Sequence, residues 1–155
     1  MSKTNAIRIL ESHKIEFETI SYEVDEEDLT GESVAKKVGV NPETVFKTLV
    51  CVGDKTGHIV CCIPVITELD LKKAASASGN KKVEMIKLKE LFPLTGYIRG
   101  GCSPIGMKKL FPTYVDETAQ LFEQIYVSSG VRGTQVKLSS DDLIRMVSAS
   151  YADLI

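Results

Sequence analysis

The chain has 155 residues, of which 43% are hydrophobic and 26% are charged, and its formal net charge is −2 at pH 7. This length and composition are typical of one globular domain with its own core, and they exclude a disordered chain. No apolar run approaches the roughly 20 residues that cross a bilayer, and the first residues lack an apolar signal segment, so we expect a cytoplasmic protein that makes no membrane contact. An acidic balance also argues against strong unaided binding of nucleic acid.

The first half of the chain alternates between helical and strand patterns. The predicted elements are a helix at 4–13, a strand at 15–19, a helix at 30–38, a helical turn at 41–43, strands at 45–52 and 58–64, and a helix from 67 to about 76. Thr30 and Asn41 are predicted helix caps, and Gly39 ends the second helix. Thr67 and Asp70 indicate an acidic version of a capping box.

The second half shows the same mixture of short elements. They are a strand at 83–85, a helical turn at 87–92, a loop at 99–106, a helical turn at 107–110, strands at 113–115, 125–127 and 134–138, and a helix at 141–147. Ser139 and Asp142 suit the start of the last helix. Short strands interleaved with short helices predict a mixed α+β domain rather than a doubly wound sheet.

Charge is unevenly distributed along the chain. Six acidic residues fall within residues 23–32, and six lysines fall within residues 72–89. Solvated surface explains both stretches, and contact with a phosphate backbone is the alternative for the basic one.

Lys47 is the least expected residue of a predicted central strand. Alternation places Phe46 and Thr48 on one face and Lys47 and Leu49 on the other, and both faces are largely apolar. The ammonium therefore either reaches solvent near the strand end or lines a pocket, because burying it without a partner is costly. As a cation it suits a phosphate, a carboxylate or a developing oxyanion.

The segment Arg99-Gly100-Gly101-Cys102-Ser103-Pro104-Ile105-Gly106 is rich in glycine. Loops of this kind expose backbone N–H groups that bind anions or carbonyl oxygens. The segment lacks both the G-K-[ST] ending of a P-loop and the G-x-G-x-x-G dinucleotide spacing. Taken alone, it is more simply interpreted as a tight turn.

Two further features are open to a functional or a purely structural interpretation. Residues 128–133 form either a hairpin turn with glycine at positive φ or a second wall of the same pocket. Cys102 lies among glycines, but a catalytic thiol needs a histidine partner, and His13 and His58 fall in segments without any sign of a pocket. We therefore do not predict Cys102 as a nucleophile.

Three of these segments together resemble the YbaK/EbsC family of aminoacyl-tRNA deacylases, which are relatives of the editing domain inserted in bacterial prolyl-tRNA synthetase. The segments are Phe46-Lys47-Thr48-Leu49, Gly100–Gly106 and Ser129-Gly130-Val131-Arg132-Gly133. Their order and spacing match over nearly the whole chain, which implies a single editing domain at 1–155. The resemblance also implies a β-barrel-like mixed sheet surrounded by helices.

The resemblance assigns roles to individual residues. The essential lysine of the family matches Lys47, and its G-x-x-x-P-x-G loop is met by Gly100, Pro104 and Gly106. Its Ser-Gly pair matches Ser129 and Gly130, and its aromatic position at the pocket mouth matches Tyr22. The substrate-binding residues that it implies are Tyr22, Thr48, Gly100, Gly101, Cys102, Ser103, Pro104, Ile105, Gly106, Ser129 and Gly130.

The implied activity is removal of cysteine from mischarged Cys-tRNA(Pro), as in the free-standing YbaK type. There the substrate thiol attacks its own ester carbonyl, closes a thiolactone and releases the tRNA, so no metal or cofactor is expected. The expected partners are the acceptor end of aminoacyl-tRNA and prolyl-tRNA synthetase in a complex with tRNA. Two alternatives stay open: a deacylase for alanine that uses water and the tRNA 2′-hydroxyl, and a non-catalytic regulator that binds tRNA or a nucleotide.

Overall fold

Five short helices and eight short strands follow one another along residues 3–155, which the computed structural model of the chain describes. The helices are α1 (Asn5–Ser12), α2 (Gly31–Val38), α3 (Leu71–Ser78), α4 (Leu88–Thr95) and α5 (Ser140–Val147). The strands are β1 (Phe17–Ser21), β2 (Phe46–Gly53), β3 (Gly57–Pro64), β4 (Val83–Met85), β5 (Thr113–Asp116), β6 (Ile125–Ser128), β7 (Thr134–Leu138) and β8 (Ser150–Ala152). None of the helices within residues 3–155 has the length and apolarity that a membrane span requires.

The strands form two sheets. One has the antiparallel order β1-β7-β6, and the other has the order β4-β2-β3-β5-β8. In the larger sheet β2 pairs antiparallel with β3 and β4, whereas β5 pairs parallel with β3 and β8. A parallel bridge between Val45 and Tyr126 joins the two sheets. The predicted mixed α+β class is confirmed, and the strands of the described chain form two linked sheets that do not close into a barrel.

The largest core unites both sheets with α1 and α5. It is built mainly from aliphatic side chains, among them Leu10, Val50, Val60, Ile125, Val136, Leu138 and Leu143. A second core lies on the other face of the larger sheet, where Cys51, Ile59 and Cys61 pack against Ala74 and Ala75 of α3. Both faces of β2 are therefore covered, as predicted for a central strand.

Most of the predicted helix signals are confirmed because they depend on local chemistry. The Thr30 side chain accepts from the Ser33 N–H, and Gly39 ends α2 in the left-handed conformation. The Asn41 side chain caps a 3₁₀ turn at Pro42–Thr44. Ser139 occupies the predicted N-cap of α5 but makes no capping hydrogen bond with its side chain.

Other local predictions are wrong or incomplete. The predicted capping box of α3 is wrong, because Asp70 is the N-cap and the Thr67 hydroxyl donates to the Pro64 carbonyl. No helical turn forms at 107–110, where the chain bends and runs on to β5. The sequence also did not predict β8 or the 3₁₀ turn Glu117–Leu121, and α4 continues past Phe92 to Thr95.

Candidate active site

A cavity of about 600 Å³ opens beside β2. Its walls come from the start of α2, residues 45–50, the segment from Met85 to Leu91, the loop at Arg99, Gly100 and Cys102, and the β6–β7 pair at Ser128 and Gln135. Elements from both sheets and two helices thus converge on one concave surface, which is the usual setting of a ligand site.

The cavity lies against an unpaired stretch of the β2 edge. β4 pairs with β2 only at residues 51–53, and the Ile86 N–H then donates to the Val50 carbonyl at 3.3 Å. Alternation along a strand directs the backbone groups of Thr48 to the same side as those of Val50. Within residues 3–155 no strand pairs with Thr48 on this side, so its N–H and C=O are available to a ligand.

This unpaired edge brings Lys47 and Thr48 to the same cavity from opposite faces of β2. Lys47 is half-buried, and no hydrogen bond or ion pair with its ammonium is found within the described chain. The Thr48 hydroxyl lies 3.9 Å from the Cys62 sulfur. Of the two interpretations of Lys47, the geometry matches the one in which it lines a pocket.

The glycine-rich loop packs tightly against the turn between β6 and β7. The Arg132 guanidinium donates from Nε to the Arg99 carbonyl at 2.8 Å, and a Cβ on Gly101 would lie 3.1 Å from the Arg132 backbone nitrogen. Gly100 has φ +83°, a conformation that glycine adopts without strain. Within residues 3–155 the N–H groups of Gly100 and Cys102 donate to no other group, and both residues line the cavity.

The beginning of α1 holds these two segments together. The Thr4 hydroxyl donates to the Ser129 carbonyl at 2.7 Å, and the Asn5 side chain donates to the Gly106 carbonyl at 3.0 Å. The Tyr97 hydroxyl donates to the Ile105 carbonyl, and the Tyr97 ring leaves no room for a side chain at Gly130. The loop is therefore a preorganised part of the site.

Cys102 lines the cavity but lacks the environment of a nucleophile. Burial raises the pKa of its thiol to about 12, so the thiol is protonated at neutral pH. His13 is exposed at the end of α1, and His58 packs edge-on against Phe111 with 5.8 Å between ring centroids. Neither histidine is among the residues that line the cavity.

The predicted site residues divide into those at the wall and those behind it. Lys47, Thr48, Gly100 and Cys102 line the cavity. Behind this wall lie predicted residues that shape the loop or the adjoining turn, namely Gly101, Ser103, Pro104, Ile105, Gly106, Ser129 and Gly130. Tyr22 follows β1, where its N–H donates to the Gly133 carbonyl at 2.9 Å, and it does not line the cavity, so its role at the mouth stays a prediction.

Gln135 and Ser128 are wall residues that the sequence did not single out. They face each other across the β6–β7 pair. Gln135 is only 5% exposed, and its side-chain oxygen is one of two buried side-chain atoms without a hydrogen-bond partner among residues 3–155, the other being the Ser129 hydroxyl. A glutamine inside the strand 134–138 was the available signal, but the residue type alone does not distinguish a cavity wall from solvent.

The cavity is suited to binding and polarising a carbonyl group. It combines the cationic side chains of Lys47 and Arg99 with free backbone N–H groups, and Glu32 supplies one negative charge. Backbone donors and a nearby cation are the groups that stabilise a developing oxyanion. Within the described residues no group of three His, Cys, Asp or Glu side chains converges in a way that would hold a metal ion.

Comparisons with known proteins agree on one type of domain. Residues 25–146 match the family model of the aminoacyl-tRNA editing domain. The chain is 51% identical over 152 residues to a candidate Cys-tRNA(Pro)/Cys-tRNA(Cys) deacylase, EbsC, of Enterococcus faecalis, with 98% of this chain and 93% of that protein covered.

Solved structures show the same architecture. The chain superposes on the crystal structure of a candidate trans-editing enzyme for prolyl-tRNA synthetase with a TM-score of 0.82 and 25% identity, over 99% of this chain and 98% of that one. It also superposes on the crystal structure of a hypothetical protein with a TM-score of 0.88 and 20% identity, over 97% and 99% of the two chains, a likeness of fold alone.

Proposed function

The chain belongs to the family of aminoacyl-tRNA editing domains, and from this premise we propose that it is a trans-editing deacylase that removes cysteine from mischarged Cys-tRNA(Pro). The high identity to a protein named for that activity supports the choice of substrate. We also propose that it acts in the cytoplasm, where charged tRNA is consumed.

The proposed reaction takes its nucleophile from the substrate. The cysteinyl sulfur forms a bond to its own ester carbonyl carbon, the bond from that carbon to the ribose oxygen breaks, and the thiol proton ends on the ribose hydroxyl. The products are a cysteine thiolactone and free tRNA. Because the nucleophile is tethered to the reacting carbon, much of the entropic barrier is removed before the chemical step.

The observation that carries this proposal is the composition of the cavity wall. It offers a lysine and free N–H groups, whereas its own thiol has a pKa of about 12 and no histidine lines it. Such a wall stabilises charge that develops on a carbonyl oxygen but supplies no activated nucleophile. A substrate that carries its own thiol matches this set of groups.

Within this proposal the protein residues bind, orient and stabilise. The N–H groups of Gly100 and Cys102 donate hydrogen bonds to the carbonyl oxygen as it becomes negative. Lys47 neutralises this charge or anchors the phosphate of the terminal adenosine. The free backbone groups of Thr48 hold the aminoacyl group in the bent conformation that ring closure requires.

The test is a deacylation panel with tRNA charged with cysteine, alanine or serine. We expect preferential release of cysteine or its thiolactone, and we expect Lys47→Ala to lower kcat/KM by about 100-fold or more, the cost of losing one group that stabilises an oxyanion. Lys55→Ala removes an exposed lysine from the β2–β3 turn and is the matched control. Full activity of Lys47→Ala would contradict the site, and equal release of alanine and cysteine would contradict the thiol mechanism.

We further propose that prolyl-tRNA synthetase acts as a partner when it is bound to tRNA. Because the net charge is −2, we expect the protein to bind tRNA weakly on its own. A synthetase that holds the tRNA would compensate for this weak binding. The same panel with added synthetase tests this partner, and an unchanged KM and kcat would argue against it.

A further inference from the structure

An exposed apolar surface continues outward from the cavity along α4. Met85 and Leu88 line the cavity and are 45% and 60% exposed, and Phe92, one helical turn beyond Leu88, is 55% exposed. Residues four apart on a helix are neighbours on the same side, so Leu88 and Phe92 extend the cavity mouth over the helix surface. Adjacent exposed apolar side chains of this size are characteristic of an interaction surface.

Lysines border this apolar surface. The Lys108 ammonium lies 5.1 Å from the centroid of the Phe92 ring, and Lys87, Lys89 and Lys109 are exposed nearby in the sequence. Within residues 3–155 none of these four lysines takes part in an ion pair. By contrast, Lys73 and Lys82 of the predicted basic stretch are paired with Asp153 and Glu84.

The charge around the cavity mouth is strongly polarised. Residues 86–115 contain five lysines and arginines and one acidic residue, although the whole chain has a net charge of −2. The cavity is also lined by the start of α2, where the acidic stretch of residues 23–32 ends and where Glu32 is a lining residue. A polyanion is therefore attracted to the α4 side of the mouth and repelled from the α2 side.

We propose that the outer face of α4, together with Lys108, binds the single-stranded 3′ end of the tRNA and directs its last nucleotide into the cavity. This inference rests on the proposed function. Surfaces that bind single-stranded nucleic acid combine lysines for the phosphates with aromatic rings on which bases stack. Phe92 provides this combination, because the Lys108 ammonium lies over its ring and Lys89 precedes it by three residues on the same helix.

The length of α4 is consistent with this assignment. Its eight residues span about 12 Å at 1.5 Å per residue, which equals about three stacked nucleotides at 3.4 Å each. An unpaired 3′ end that lies along α4 therefore reaches from Lys108 to Leu88 at the cavity mouth. The charged ester at its end then meets Lys47 and the glycine-rich loop.

The test compares two substrates with the same ester, a full-length charged tRNA and aminoacyl-adenosine, which lacks the preceding nucleotides. We expect Phe92→Ala to lower the ratio of kcat/KM on tRNA to kcat/KM on aminoacyl-adenosine by about tenfold, the effect of losing one stacked base. The double variant Lys89→Gln/Lys108→Gln should lower the same ratio and flatten the dependence of log kcat/KM on log salt by about 1.4 for two phosphate contacts on a single strand.

Matched variants control for general effects. Lys72→Gln/Lys81→Gln removes the same charge from exposed positions that do not line the cavity, and Leu121→Ala removes an exposed apolar side chain outside it. The ratio should stay at the wild-type value in both. The inference is overturned if the α4 variants and these controls give the same ratio and the same salt dependence.

A binding measurement separates this inference from the proposed function. Fluorescence anisotropy with a labelled single-stranded RNA hexamer ending in CCA reports on the surface without any chemistry. Weaker binding by Phe92→Ala than by Leu121→Ala supports the α4 surface even if no charged tRNA is deacylated, an outcome that would contradict only the deacylase. Equal binding by both variants contradicts the α4 surface even if deacylation is fast.

Discussion

Gln135 lies at the wall of the cavity, and its buried amide oxygen has no hydrogen-bond partner among residues 3–155. An unsatisfied buried polar group destabilises the folded protein, because it loses water and gains nothing in return. Proteins commonly retain such a group where a ligand completes its hydrogen bonds. At the scale of single residues, Gln135 is therefore a candidate contact for the aminoacyl group in the cavity that the unpaired edge of β2 also lines.

Replacing Gln135 should separate stability from activity. Gln135→Leu removes the unpaired oxygen and should raise the free energy of unfolding by about 1 kcal/mol, while kcat/KM on the charged tRNA falls by about tenfold as one hydrogen bond to the substrate is lost. Urea denaturation and deacylation kinetics measure the two effects. If both values stayed unchanged, the amide would have no role in the cavity.

Loss of activity in Ser129→Ala would instead support the substrate contact that the sequence predicts for Ser129.

The same scale explains what the sequence could and could not indicate about the site. Lys47 stands out because a charged residue interrupts two apolar faces of one strand, and this contrast is visible without a structure. Gln135 does not stand out, since glutamine is common on the exposed face of a strand. Its burial becomes visible only in the folded chain, where β7 lies between β1 and β6 and Gln135 is 5% exposed.

At the scale of elements, α1 acts as a brace for the site. Thr4 caps α1 by accepting from the Ile7 N–H at 3.2 Å, and its hydroxyl also donates to the Ser129 carbonyl. Asn5 at the first position of the helix holds Gly106 in the same way. One helix start therefore fixes both the glycine-rich loop and the β6–β7 turn.

Removing the Thr4 hydroxyl should weaken this brace. Thr4→Val keeps the shape of the side chain but loses both hydrogen bonds, so we expect the free energy of unfolding to fall by about 1–2 kcal/mol. We also expect a several-fold loss of kcat/KM, because the loop that carries Gly100 and Cys102 is held less firmly. Thr4→Ser keeps the hydroxyl and should stay within about 0.5 kcal/mol of the wild type. A Thr4→Val protein as stable as Thr4→Ser would show that the brace is unimportant.

Elements defined by local signals were predictable, and those defined by distant partners were not. The β2–β3 hairpin and the caps of α2 depend on residues a few positions apart. β8 is only three residues long and forms because it pairs with β5, more than 30 positions earlier in the chain. The chain at 107–110 does not form the predicted helical turn. It runs back against α4 instead, and the Lys108 N–H donates to the Thr95 carbonyl at 3.1 Å.

At the scale of the whole molecule, buried thiols make the free energy of unfolding depend on pH. Burial raises the pKa of Cys62 from 9.0 to about 12, and it raises that of Cys102 to about 12 as well. Both thiols are protonated in the folded and the unfolded chain at neutral pH. Between about pH 9 and 12 only the unfolded chain releases the proton, so the free energy of unfolding decreases as the pH rises.

Cys62→Ala should reduce this alkaline loss of stability. For one thiol with these pKa values the loss between about pH 8 and 10.5 is about 2 kcal/mol. The free energy of unfolding, measured by urea denaturation at both pH values, should therefore fall by about 2 kcal/mol less in Cys62→Ala than in the wild type. Each protein is compared with itself at the two pH values. The cavity that the substitution leaves in the core lowers the stability of Cys62→Ala at both pH values, so it does not affect the difference. An identical loss in both proteins would contradict the assigned shift.

The unpaired edge of β2 has a consequence for how such an enzyme evolves. A hydrogen bond to the main chain of Thr48 does not depend on which side chain that position carries, so mutation cannot easily remove it. If the ligand binds the main chain of Thr48 as we propose, substitutions along residues 45–50 alter the volume and polarity of the cavity without removing that hydrogen bond. Proteins with this architecture can therefore change the acyl group that they accept through single substitutions, while the hydrogen bonds between the main chain of Thr48 and the substrate are kept.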